Sequence, residues 1–145
     1  MTGIEDRVVG RFSIDVELTN HDDLVLASVG HIQASEVRRM RVRGVVDTGA
    51  TRLVIPSTVA KQLGLKTSGS AKVRYADGHT AQRDIAKGVH LSYGGRDSVF
   101  SAIIEPERES ALVGAIVMVE LDFVADCITQ RLVPRDPKQI ISEIE

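Results

Sequence analysis

The chain has 145 residues, 43% of them apolar and 26% charged, which suits one globular domain with its own core and excludes a disordered polymer. With 18 basic against 20 acidic residues, the formal charge is −2, so neither nucleic acid nor a membrane surface is expected as a partner. Aromatic residues amount to 3%, without tryptophan, so stacking platforms for bases or sugars are poorly supplied.

Cys127 is the sole cysteine and cannot pair within the chain, which fits a reducing compartment; a small, buried apolar role is expected for it. The N-terminal stretch Met1 to Asp6 carries acids where a secretory leader has basic residues, so a cytoplasmic location is expected. The longest apolar stretch, Ala111 to Val119, is too short to span a bilayer.

In chain order, Arg11 to Leu18 alternates polar and apolar residues and predicts a strand. Asn20-His21-Asp22-Asp23 reads as a turn, and Leu24 to Ala27 as the strand returning from it. Arg39 to Arg43 alternates again, its three arginines on one solvated face, before Gly44-Val45-Val46 becomes wholly apolar. Pro56, then Ser57 to Leu63 and Gly64, has a helix start, helix formers and a stop, predicting about two helical turns. Ala71 to Tyr75 and Thr80 to Ile85 flank Asp77-Gly78 and predict a hairpin. Tyr93-Gly94-Gly95 predicts a second hairpin, leading into Val99 to Ile104. Leu121 to Ile128 and Gln130 to Pro134 read as the last strands. Many short strands and few helices indicate an all-β domain covering 1–145, with its core at about 11–134 and a tail from 135 to 145.

The segment Val45-Val46-Asp47-Thr48-Gly49-Ala50 carries the chemistry. An apolar strand delivers the Asp47 carboxylate into a tight turn, followed by Thr51 to Pro56, the hairpin tip at Tyr75 to Thr80, and Leu112-Val113-Gly114. This order resembles the retropepsin-like aspartic proteases over most of the chain. The resemblance implies a small closed β-barrel with a flap hairpin and one or two short helices, working as a homodimer. It makes Asp47 the catalytic carboxylate and gives Thr48 and Gly49 the support of the catalytic loop. Ala50, Tyr75, Ala76, Asp77, Gly78 and His79 then contact the substrate, and Leu112-Val113-Gly114 passes behind the loop. Where viral members carry an Asp and an Arg that pair, this chain has Thr51 and Ala115.

Two carboxyls in near contact hold one proton and supply both a base and an acid. The chain has one Asp-Thr-Gly and no Asp-Ser-Gly, so the pair requires a second copy. The expected activity is an aspartic endopeptidase that cleaves polypeptide without a covalent intermediate or cofactor. The alternative is a peptide-binding or dimerisation module of the same fold without turnover. Taken alone, His79 reads as a solvated hairpin residue. His21, His31 and His90 lack ligand spacing, so no metal site is expected. Asp22, Asp23, Glu105, Glu107 and Glu109 read as solvated loop charges.

Overall fold

The computed structural model describes residues 11–145, and the acid-bearing N-terminal stretch lies outside them. Among these described residues nine strands dominate, with three short helices and one 3-10 turn between them. β1 (Arg11–Asn20) pairs antiparallel with β2 (Arg39–Asp47), in a register that sets Arg11 opposite Asp47. β2 runs parallel to β7 (Ala111–Val113), which meets β3 (Leu53–Pro56); β3 in turn runs parallel to β6 (Arg96–Glu105). β6 pairs with β5 (Thr80–Tyr93), and the far end of β5 pairs back onto β1. Six strands therefore close into a barrel, the expected architecture, and β4 (Thr67–Arg74) extends the β5 edge as one flap arm.

Alternation along β1 explains the closure. Phe12, Ile14, Val16 and Leu18 point inward and are buried, while Arg11, Ser13, Asp15 and Glu17 face out. Val46, Leu53, Ile55, Val89, Leu91 and Val113 complete the centre of the core. The arginines of β2 are exposed, as the alternation predicts; Arg39 and Arg43 lie 4.0 Å from Glu17 and Asp15 on β1. At the second hairpin, Tyr93 stands opposite Arg96. Gly94 and Gly95 between them take φ of 57° and 79°, which only glycine adopts freely in succession.

One predicted strand is a helix. Leu24 to Ala27 lies within α1 (His21–Ser28), and β1 finds its partner in β2 instead. The reason is the Asn20 side chain, whose Oδ1 accepts from the Asp23 backbone N–H at 3.0 Å and caps the helix. The supposed turn residues are thus a helix start, with Asp22 and Asp23 complementing its N-terminal dipole. Nor is Asp23 a solvated charge. It is buried, and its carboxylate accepts from the Arg38 backbone N–H (3.0 Å), Nε (2.8 Å) and Nη2 (2.9 Å).

α2 (Ser57–Gln62) follows β3 as expected, and α3 (Ala115–Leu121) takes the first residue of a predicted strand. α3 ends at Asp122 in the left-handed conformation, so β8 begins at Phe123 and pairs only with β9 (Arg131–Pro134). Cys127, expected to be buried, is exposed in the β8–β9 turn.

Candidate active site

Asp47 is the last residue of β2, and the chain turns directly after it, with the Ala50 N–H donating to the Asp47 carbonyl at 3.1 Å. The carboxylate is tied on both sides. Oδ1 accepts from the Gly49 backbone N–H at 3.0 Å, and Oδ2 accepts from Arg11 Nη2 at 2.9 Å. Its side chain stays 17% exposed, which leaves a face open to a reactant. Thr48 and Gly49 are exposed at the tip, whereas Ala50 is half-buried.

Gly114 and the start of α3, directly after β7, brace this loop from behind. The Ala115 N–H donates to the Ala50 carbonyl at 2.8 Å and the Ile116 N–H to the Thr51 carbonyl at 2.9 Å. These bonds require the two backbones to touch at Gly114. A Cβ there would lie 2.5 Å from the Arg52 carbonyl oxygen and 2.7 Å from the Thr51 carbonyl carbon, so no side chain fits. Leu112-Val113-Gly114 thus does pass behind the loop that carries Asp47.

The flap closes differently from a bare Asp-Gly turn. Tyr75 N–H donates to the His79 carbonyl, and Gly78 N–H donates to the Tyr75 carbonyl, both at 2.9 Å. Gly78 alone takes positive φ, at 91°, and Asp77 does not. The Asp77 carboxylate caps the turn by accepting from the His79 N–H at 3.0 Å and contacting its ring nitrogen Nδ1. That backbone bond, followed by the side-chain contact, holds the Asp77 carboxyl below the usual carboxylate range. The His79 ring stacks on Tyr75 at 4.4 Å, and Ala76, Asp77 and Gly78 remain exposed at the tip.

Tyr75 points inward and donates its hydroxyl to Glu105 Oε2, while Arg83 Nε donates to Glu105 Oε1 at 3.0 Å. Burial first, and the Glu105 carboxylate second, push the Tyr75 phenol above its ordinary value. Glu105, expected to be a solvated loop charge, is therefore the buried anchor of the flap base, at 8% exposure. Sequence reasoning missed it because its partners lie 22 and 30 residues away. Only the pairing of Ile85 with Ile103 sets Arg83 opposite Glu105. Arg11 was missed as a neighbour of Asp47 for the same reason.

Between the Asp47 loop and the flap lies a groove of about 790 Å³. Gly49, Ala50, Tyr75 and His79 line it, together with Arg83 and Glu105; Asp47 lies outside the lining, just before Thr48 and Gly49. Among the described residues no group of three or more His, Cys, Asp or Glu could hold a metal ion, and no helix is long and apolar enough to cross a membrane.

A family model described as aspartyl protease matches residues 34–116, more than half of the chain and the whole stretch from before β2 to the start of α3. The chain belongs to the aspartyl protease family. Among solved structures, this aspartyl protease family member is similar to the EIAV protease complexed with the inhibitor HBY-793, with a TM-score of 0.52. The match has 13% identity and covers 77% of this chain and 88% of that one. At such identity the likeness establishes the retropepsin-like fold. No curated protein matches the chain.

Proposed function

We propose that the protein is an aspartic endopeptidase whose active site forms between two copies of Asp47, one from each chain of a homodimer. The observation that carries this reading is Asp47 at the strand end, entering a braced turn whose Gly49 and Ala50 line the groove beside the flap. An extended polypeptide would lie in that groove and pair its backbone with the flap. One Asp47 carboxylate accepts a proton from water as the water oxygen attacks the scissile carbonyl carbon. The protonated Asp47 of the second copy donates to the carbonyl oxygen, giving a neutral tetrahedral diol. Collapse breaks the carbon–nitrogen bond, and the departing nitrogen takes a proton from the dyad. Water is consumed, a carboxylic acid and an amine are released, and no bond to the enzyme forms. Thr48 and Gly49, exposed at the loop tip, are the residues available to meet the second loop.

A second reading has one observation in its favour. Arg11 already occupies Asp47 Oδ2. A chain that kept this ion pair in its assembled state would bind polypeptide without hydrolysing it.

Digestion of a peptide library at mildly acidic pH, run beside Asp47→Asn and followed by mass spectrometry, separates the two. Cleavage by the parent and none by the variant is expected, with sedimentation showing dimer at the working concentration. Intact peptides bound by both proteins would establish the module instead, and cleavage by a strict monomer would rule out the shared site.

A further inference from the structure

The groove carries a charge opposite to that of the chain. Its lining holds five cations, Arg52, Lys72, Arg74, Arg83 and Arg108, against two carboxylates, Glu105 and Glu107. The chain as a whole has 20 acids and 18 bases, so this positive excess is local. Glu105 is already engaged by Arg83 and Tyr75. Arg108 turns Nε and Nη2 onto the carbonyl and hydroxyl of Ser110, neutral groups that leave its charge unbalanced.

Arg52, Lys72 and Arg74 are exposed, and none makes an ion pair or side-chain hydrogen bond among the described residues. Lys72 and Arg74 are exposed on the flap arm, alternating with the half-buried Ala71 and Val73, and all four line the groove. Arg52 follows the catalytic loop directly. The flap acids Asp77 and Asp84 lie outside the lining. The groove floor, by contrast, is apolar, with Ala50, Val54, Ile103 and Leu112.

A cleft with low-dielectric walls and one sign of charge concentrates ligands of the other sign. Peptide backbone has no charge to offer these cations, so the attraction must come from side chains. We infer that the groove selects polypeptide segments in which acidic side chains flank an apolar residue, with Arg52 as the main specificity-determining group. The inference rests on the peptide-cleaving reading for its setting, although binding selectivity stands whether or not cleavage follows.

The test uses three fluorescent octapeptides with a common apolar centre, flanked by Glu, Gln or Lys. Binding is measured by anisotropy on Asp47→Asn, with and without Arg52→Glu, and cleavage is measured on the parent. The Glu peptide is expected to bind about fivefold tighter than the Gln peptide at low salt, as one or two exposed charge pairs allow. That preference should shrink in high salt, and shrink again in Arg52→Glu, whose groove keeps four cations against three carboxylates. Equal affinities, a preference for Lys in the parent background, or no binding of any peptide would overturn the inference. Cleavage without charge preference would overturn it and leave the endopeptidase standing. Selective binding of the Glu peptide without cleavage would leave it standing and remove the endopeptidase.

Discussion

Replacing Gly114 by Ala adds one methyl group just after β7, where the backbone crosses the loop that follows Asp47. That methyl carbon would lie 2.5, 2.7 and 2.8 Å from three backbone atoms of Thr51 and Arg52, where ordinary contact begins at 3.4 Å. Gly114 has φ of −90°, which alanine adopts without strain, so the penalty is steric alone. Relief demands that the loop retreat by about 0.9 Å, the difference between ordinary contact and the closest approach. Overpacking of this kind costs ~1–3 kcal/mol. The retreat also weakens the two bonds from Ala115 and Ile116 to the loop, each contributing ~1 kcal/mol. The expected loss is about 3–4 kcal/mol, a large share of a typical stability of ~5–15 kcal/mol. Urea unfolding followed by far-ultraviolet circular dichroism measures it, with a midpoint shift of about 2 M for a chain of this size. Gly49→Ala is the control, because a Cβ there meets only Asp47 Oδ1, at 3.4 Å. It should stay within ~0.5 kcal/mol of the parent. Equal stability of the parent and Gly114→Ala would refute the argument that backbone contact braces the loop.

Two further outcomes follow from the buried carboxylates. Asp23→Ala removes three hydrogen bonds to Arg38 and should cost ~2 kcal/mol in the same unfolding assay, a figure discounted because the Arg38 side chain is half exposed. The Arg38 side-chain bond is the largest cause holding the Asp23 carboxyl below its ordinary value. A carboxyl depressed by folding stabilises fully above the unfolded aspartate value of about 3.9 and loses that contribution as pH falls below it. The gap between parent and Asp23→Ala should therefore narrow only in that acid range, and a gap that instead narrows between pH 5 and 8 contradicts the assignment. At the flap base, Tyr75 should ionise above the ordinary tyrosine value of ~10 in an ultraviolet titration. Glu105→Gln keeps the burial but removes the anion, so the Tyr75 transition should move down; an unchanged curve would mean that Glu105 does not hold the hydroxyl.

How far each feature was legible depended on the range of the interaction that fixes it. β1 and β2 are written in period-two alternation, and the Gly94-Gly95 turn in two residues that accept positive φ. The Asp47 turn is equally local, since its strand, its carboxylate and its Gly49 N–H partner are consecutive. α1 was misread although its signal is local, because Asn-His-Asp-Asp serves a turn and a helix cap alike. Four apolar residues after it are too few to reveal a period. Cys127 shows a different limit: a small apolar side chain fits the core or a surface turn, and its chemistry does not choose.

What the sequence by itself determined is most of the strands, the turns at Asp77-Gly78 and Gly94-Gly95, and the strand-end position of Asp47, because each needs only neighbours along the chain. The tertiary structure decided which acids are buried and which cations face the groove. It sets Arg38 on Asp23, Arg83 and Tyr75 on Glu105, and Arg11 on Asp47, partners separated by 15 to 36 residues. Burial of a charge is tolerable only once its counterpart arrives, and barrel closure is what brings those counterparts together.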